Sequence, residues 1–255
     1  METIKEINLK LQNIYDLNDP KLIEYGKDDR IGVIKIVNQR IKLIEKLNKN
    51  KKEHRKRQEF EEKLLAEGYQ LIAGIDEVGR GPLAGPVVTA AVILPVSKEP
   101  FVGINDSKQL SAVKRAEYVE IIKQNALAYS ISVFDNQQID QHNIYRATQL
   151  AMIDAVNKLE IQPEYLLIDA MELDIDLPQQ SIIKGDQRSI SIAAASILAK
   201  EYRDQMMKKY AKIFPHYGFE KNMGYGTKEH LEGLKRYGYT EIHRKSFEPI
   251  KSMIN

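Results

Sequence analysis

The 255-residue chain contains no cysteine, which removes disulfides, thiolate metal sites and cysteine nucleophiles together. No apolar run approaches the ~20 residues of a membrane span, and the opening METIKEINLK lacks the apolar stretch of a secretory signal. These absences point to a cytoplasmic protein with no membrane partner. Charge of one sign is not in excess either: 38 Lys and Arg against 36 Asp and Glu leave +2, too little to announce a polyanionic partner by itself. The glycines of residues 79–85 match neither a P-loop nor a dinucleotide fingerprint, since no Gly-Lys-Ser/Thr follows. No Gly-x-Ser-x-Gly elbow supports a serine triad, and there is no internal repeat or low-complexity tract. With 43% hydrophobic and 29% charged residues, the composition is that of an ordinary soluble globular protein, large enough for one substantial core and a small second element.

Residues 1–68 differ in texture from the rest. Thr3 and Glu6 fit a capping box, and Ile4, Ile7, Leu11 and Ile14 follow helical spacing. Pro20 and Gly26 break that pattern, and Val33, Val37, Ile41 and Ile44 restart it in a second helix that continues into KLNKNKKEHRKRQ. The reading is a small helical extension. Lys46, Lys49, Lys51, Lys52, Arg55, Lys56 and Arg57 make its end basic, as either a solvated linker face or a surface for nucleic-acid phosphates. Residues 69–255 form a second domain of mixed α/β character. Segments 71–76, 86–94 and 127–134 read as strands, 111–125 as a helix and 137–159 as one long helix. EYLLIDA is a short buried strand closing on Asp169, SIIKGD a further apolar piece closing on Asp186, and an alanine-rich helix opens at Ser189 or Ser191. Strands separated by helices imply partly parallel pairing, so the sheet is mixed. DIDL at 174–177, beside Pro178 and glutamines, reads as loop.

Three apolar segments therefore end on acid: Ile75 into Asp76-Glu77, Ile168 into Asp169, and SIIKG into Asp186. If those strands are neighbours running the same way, their carboxylates converge at one sheet edge, where open α/β sheets place their chemistry. Clustered acids repel one another and protonate unless cations are present. Hard divalent ions, Mg2+ or Mn2+, suit an all-oxygen set, and two of them ~4 Å apart clamp the attacking and leaving oxygens of a phosphoryl transfer. In an extended strand Asp76 and Glu77 face opposite ways. Both serve one ion only if the chain turns between them or Glu77 lends its carbonyl, and Gly79, Gly81 and Pro82 supply turn chemistry nearby. Plainer readings stand beside this one: Asp186 as a helix cap, and Asp76 and Asp169 as strand-end acids facing water. His54, His142, His216, His230 and His243 show no paired metal spacing and read as surface or capping residues. An aspartyl-phosphate phosphatase would need a second Asp two residues after Asp76, where Val78 stands.

The run Asp76-Glu77-Val78-Gly79-Arg80-Gly81-Pro82-Leu83-Ala84-Gly85-Pro86 is followed by Asp106-Ser107-Lys108, Leu167-Ile168-Asp169, Lys184-Gly185-Asp186, SIAAASILAK at 191–200 and Gly224-Tyr225-Gly226-Thr227. In this order and spacing, from residue 71 to about 248, it strongly resembles ribonuclease HII; the first 70 residues lie outside the match. The resemblance implies a ribonuclease H-like α/β fold, a mixed sheet flanked by helices with a C-terminal helical substrate-binding segment. It implies a divalent metal site, Mg2+ or Mn2+, on Asp76, Glu77, Asp169 and Asp186 as catalytic residues. It further implies cleavage of the RNA strand of RNA–DNA hybrids and incision 5′ of ribonucleotides embedded in duplex DNA, leaving a 3′-hydroxyl and a 5′-phosphate; the expected state of the chain is a monomer. Gly79, Arg80 and Gly81 fall on the loop that senses the ribose 2′-hydroxyl through closely approaching backbone, and Tyr225 on the tyrosine that stacks at the junction. Tyr225 read without the resemblance is a core or loop aromatic. Lys108 and Lys184 are either phosphate contacts or solvated lysines. Val78 stands where alanine is commoner and Gly226 where proline is, and neither removes a group the chemistry needs. Arg80 separates the chain from ribonuclease HIII, which lacks an arginine between the two glycines. A non-catalytic hybrid-binding protein has no reason to gather four acids, and a small-molecule phosphatase leaves Arg80, Tyr225 and the basic run unexplained.

Overall fold

The computed structural model describes residues 2–96 and 99–254, the side chain of Glu99 excepted. The chain divides into two compact units, Met1–Arg55 and Lys56–Asn255. The first holds α1 (Ile4–Leu11), α2 (Pro20–Tyr25) and most of α3 (Ile31–Arg57). Its core is Ile7, Leu11, Ile14, Leu22, Val33, Val37 and Ile44, the i, i+3/i+4 rows of these helices. The Thr3–Glu6 capping box forms. Pro20 does not merely interrupt the helical pattern: it opens α2 at the first helical position, where a missing N–H costs nothing, and Asp19 accepts from the Lys21 N–H (2.8 Å).

The second unit starts with α4 (Glu59–Ala66) and is built on one sheet. Its strands are β1 (Ile72–Val78), β2 (Val87–Ile93), β3 (Ala128–Phe134), β4 (Tyr165–Asp169) and β5 (Gln179–Ile182), in the order β3-β2-β1-β4-β5. β1, β4 and β5 are parallel neighbours, while β2 and β3 extend the sheet as an antiparallel meander. The sheet is thus mixed, as the alternation of strands and helices predicts. α5 (Ala112–Asn125), α6 (Asn136–His142) and α7 (Ile144–Asn157) follow β2 and β3. After β5 come α8 (Gly185–Arg188), α9 (Ile190–Ile213), α10 (Phe219–Asn222), α11 (Lys228–Tyr237) and α12 (Ile250–Ile254). Among the described residues no helix is long and apolar enough to cross a membrane.

Both faces of the sheet are covered, which is why β2 is buried at every position. Val88, Ala90 and Val92 pack with α9 and α5 on one face. Ala91 and Ile93 join Ala73 and Ile75 of β1, Leu166 and Ile168 of β4, and Met152, Ala155 and Val156 of α7 on the other. The alanines of α9 let it lie directly on β1: a Cβ on Gly74 would stand 2.0 Å from the Ser191 carbonyl carbon. α4 adds Leu64 and Phe60 to Ile72, Leu167, Ile182 and Ile192.

Three sequence expectations need correcting. The helix expected over 137–159 is two helices, because Asn143 adopts φ 60° and its side chain accepts from the Tyr145 and Arg146 amides, starting α7 afresh. The strand at 71–76 does not end at its acids but runs on to Val78, so the turn follows Glu77 instead of separating it from Asp76. The apolar piece before Asp186 leaves the sheet at Ile182: Ile183 is exposed, Lys184 takes φ 56°, and Asp186 lies in the single turn α8.

Candidate active site

Parallel register brings two of the acids together. Ile75 pairs with Ile168 and Asp169 with Ile182, so Asp76, within β1, stands beside Asp169 at the end of β4, and the turn carrying Asp186 begins beside them. Alternation along β1 turns Ala73, Ile75 and Glu77 to the α7 face, and Gly74, Asp76 and Val78 to the α9 face. Asp76 is accordingly buried and hydrogen-bonds Ser196 of α9, and its Oδ1 accepts from the Glu77 amide (2.7 Å). Asp169 Oδ1 accepts from the Gly185 amide (2.7 Å), which ties β4 to the turn of Asp186. Asp186 caps nothing: Ser189 caps α9 by accepting from the Ile192 amide (3.2 Å). Glu77 reaches Arg80 (3.5 Å).

The electrostatics bear the mark of this crowding. Asp76 is raised well above the usual carboxylate range, by desolvation first and then by Glu77 and Asp169. Glu77 is raised by desolvation and by Asp169 against the opposing pull of Arg80. Asp169 is raised by desolvation, opposed by the Gly185 hydrogen bond and by Lys108. Asp186 climbs to about 6 through desolvation, then Asp106 and Asp169. Asp106 is therefore a fifth acid at this edge, buried and accepting from the Lys108 amide (2.9 Å). Sequence reasoning noted it only as part of Asp-Ser-Lys, because no apolar strand leads into it. Its neighbour Ser107 contacts Ser196 Oγ (3.1 Å), linking that loop to the residue that holds Asp76.

An all-oxygen donor set with every carboxyl desolvated and mutually repelled fits a hard divalent cation in chemistry. Among the described residues, however, no three acids or histidines are drawn into a coordination group. Glu77 is turned to Arg80, Asp169 to the Gly185 amide, and Asp186 to Asp106.

The remaining candidates separate clearly. Gly81 and Tyr225 face each other: a Cβ on Gly81 would meet Tyr225 Cε1 at 3.5 Å and nothing closer. Tyr225 is half-exposed, its carbonyl held by His230 Nδ1 (2.9 Å). Lys108 is exposed and close enough to lower both Asp169 and Asp186, whereas Lys184 is exposed on left-handed backbone. Arg57 does not join the basic face, being buried and donating to Asn105 Oδ1 (2.8 Å). The histidines depart from the surface reading: His54, His230 and His243 are buried, and the last two share a 2.9 Å Nε2···Nε2 hydrogen bond. Burial lowers the pKa of both, that of His243 to about 4.

Comparison with known proteins supplies the context. Residues 73–250 match the family model described as ribonuclease HII, and residues 3–65 match a second model, the ribonuclease HII N-terminal domain. The helical segment left outside the sequence resemblance thus has a family counterpart of its own. Among solved structures, ribonuclease H2 from Pyrococcus horikoshii OT3 is similar at 25% identity and a TM-score of 0.63, over 71% of this chain and 96% of that one. The PCNA:RNase HII complex from Archaeoglobus fulgidus gives 24% identity and a TM-score of 0.61, over 70% and 95%. Bst-RNase HIII in complex with Mn2+ gives 22% and 0.54, over 73% and 70%. The mixed five-stranded sheet flanked by helices is the ribonuclease H-like fold these structures share.

Proposed function

The chain belongs to the ribonuclease HII family, a family of endoribonucleases acting on RNA–DNA hybrids, and from that premise we propose a divalent-metal-dependent nuclease that also incises 5′ of single ribonucleotides in duplex DNA. The products are a 3′-hydroxyl and a 5′-phosphate. One observation carries the reading: the ends of β1 and β4 and the turn after β5 direct Asp76, Asp169 and Asp186 to one sheet edge, with the Gly79–Gly81 loop following directly from β1 and Tyr225 against it. Desolvated carboxyls that raise one another's pKa have no use for a polyanion unless cations intervene.

Asp76, Asp169 and Asp186 are the residues that would hold Mg2+ or Mn2+, the class of ion named for Bst-RNase HIII, and Glu77, which the continuous strand turns to the other face, would join them by lending its backbone carbonyl. Such a cation supplies charge neutralisation at the scissile phosphate and a water of lowered pKa, and a pair of cations serves both attacking and leaving oxygens. Of the protein's own groups, Arg80 holds Glu77 as an ion pair at the mouth of the site. Lys108 offers a mobile cation to the phosphate from beside Asp169 and Asp186. Gly81 leaves open the space that a ribose needs beside the Tyr225 ring. The exposed lysines of α3 from Lys46 to Lys56, with Arg55, add non-specific attraction for duplex phosphates.

The test is a DNA duplex with a single embedded ribonucleotide, incubated with and without Mg2+ or Mn2+ and analysed by denaturing gel. A metal-dependent nick on the 5′ side of the ribose is the expected result, and an intact strand under all conditions refutes the reading. Asp76→Asn is expected to abolish the nick while duplex affinity stays within about twofold, since removing a buried negative charge does not weaken attraction to a polyanion.

A further inference from the structure

The loop that follows β1, residues 79–86, turns the carbonyls of Gly79, Arg80, Ala84, Gly85 and Pro86 into the protein. Two guanidiniums receive them. Arg203 of α9 donates from Nε to Pro86 O (2.8 Å) and from its two Nη atoms to Met223 O (2.8 Å) and Ala84 O (3.2 Å). Arg244 donates from Nε to Gly85 O (3.1 Å), from Nη1 to Arg80 O (2.8 Å), and from Nη2 to Gly79 O and Gly85 O. Both side chains are fully buried, with relative exposure of 0%. Among the described residues neither has a carboxylate at ion-pair distance, and Asp204, next to Arg203, is taken by Lys200 and Arg115. Desolvation accordingly pushes both down, Arg203 to about 10 and Arg244 to about 9.

Burying a cation without a counter-charge is costly, and well-packed apolar side chains of similar volume would fill the same space more cheaply. What arginine alone provides is a rigid, planar fork of donors that fixes several carbonyls at once. The fixing has a geometric consequence on the other side of the loop. In a planar trans peptide the carbonyl and the next N–H point in opposite directions. With Gly79 O and Arg80 O turned inward, the amides of Arg80 and Gly81 are turned outward, and among the described residues neither has an acceptor within the protein. The glycine at 79 is part of the same arrangement: its φ is +96°, and a Cβ there would lie 2.3 Å from Arg203 Nε. Arg203 also ties this loop to Met223 O, two residues before Tyr225, while Leu83 donates to Gly224 O (2.8 Å).

We propose that Arg203 and Arg244 are positioning residues for ribonucleotide selection, holding the 79–86 loop so that the outward amides of Arg80 and Gly81 form a fixed pair of donors beside Tyr225 for the oxygens of one ribose-phosphate unit. The role rests on the nuclease function proposed above, and its test separates the two. In the wild-type protein the Nε–H protons of Arg203 and Arg244 should exchange with water far more slowly than those of exposed arginines. Arg203→Lys and Arg244→Lys keep the charge but replace a fork of donors with a single point. In folded variants, checked by circular dichroism, the order parameters of the Arg80 and Gly81 amides should drop from about 0.85 to below about 0.6. kcat/KM on the single-ribonucleotide duplex should fall about 100-fold through kcat, with affinity for plain DNA duplex unchanged.

Fast exchange of both Nε–H protons in the wild type overturns the proposal even if neither variant folds. Lysine variants with unchanged loop order and unchanged kcat/KM overturn it as well. A wild-type protein that leaves the ribonucleotide duplex uncut removes the nuclease reading and the selection role with it, whereas a cutting wild type with indifferent variants removes only the role of the two arginines.

Discussion

Replacing Asp186 by asparagine is expected to stabilise the metal-free protein above about pH 6 and to change little below about pH 4. The folded-state pKa is about 6 against the ordinary value of 3.8 for an aspartate. Between those values the native state binds more protons than the unfolded state, so stability falls as pH climbs through the interval and stays reduced above it. A difference of ~2 units corresponds to roughly 3 kcal/mol as an upper value. Side-chain relaxation and residual solvent contact at a group that is 9% exposed bring the working figure to about 1–2 kcal/mol. Asparagine removes the charge while keeping the shape, and it relieves Asp106 and Asp169 of a repulsive neighbour. For a chain of this size about 2–4 °C accompanies each kcal/mol, so melting at about pH 8 in a chelator should rise by roughly 2–8 °C. The assay is thermal unfolding followed by circular dichroism for both proteins at about pH 8 and about pH 4. A lower melting temperature at pH 8, or an equal shift at both pH values, refutes the reasoning, because it makes the carboxylate a structural hydrogen-bond acceptor rather than a strained charge held for chemistry.

Other outcomes follow from the same geometry. Gly79→Ala should cost about 1–3 kcal/mol in urea unfolding, from positive φ and the close Arg203 side chain; Gly81→Ala should cost under about 1 kcal/mol yet reduce the rate on ribonucleotide-containing duplex, and equal effects at both sites would contradict this division. His243 is held down to about 4 by burial first and then by His230; the unfolded imidazole titrates near 6.5, so stability is full above that value and falls by up to about 3 kcal/mol as pH drops toward 4. Urea midpoints at about pH 7 and pH 5 should differ less in His243→Gln than in the wild type. A chain beginning at Lys56 should fold, whereas one beginning at Tyr69 loses Leu64 from the core and Glu61, whose Oε1 accepts from Ser189 Oγ (2.6 Å) and the Ser191 amide (3.0 Å). A loss of roughly 3–5 kcal/mol is expected for the shorter chain, and equal melting temperatures for the two would show α4 to be dispensable.

The sequence by itself determined the elements whose signals are local. Apolar, β-branched runs marked β1 to β4, the helical pattern over 111–125 marked α5, Ser189 or Ser191 marked the start of α9, and apolar segments running into acid singled out Asp76 and Asp169. The alternation of strands and helices implied partly parallel pairing, and the fold makes β1 and β4 the parallel neighbours that set those two acids side by side. Only the tertiary structure decided what depends on direction and on distant partners. Nothing local distinguishes Asp106 as a member of the acid cluster, Arg57 as buried among basic neighbours, or His230 and His243 as a buried pair, because each owes its environment to residues remote in the chain. The same holds for Arg203 and Arg244: an arginine within a helix and another beside a histidine look solvent-facing in sequence, and they become fixed cations only where folding brings the carbonyls of residues 79–86 around them. Burial converts an ordinary charge into a costly one, and burial is a property of the whole fold.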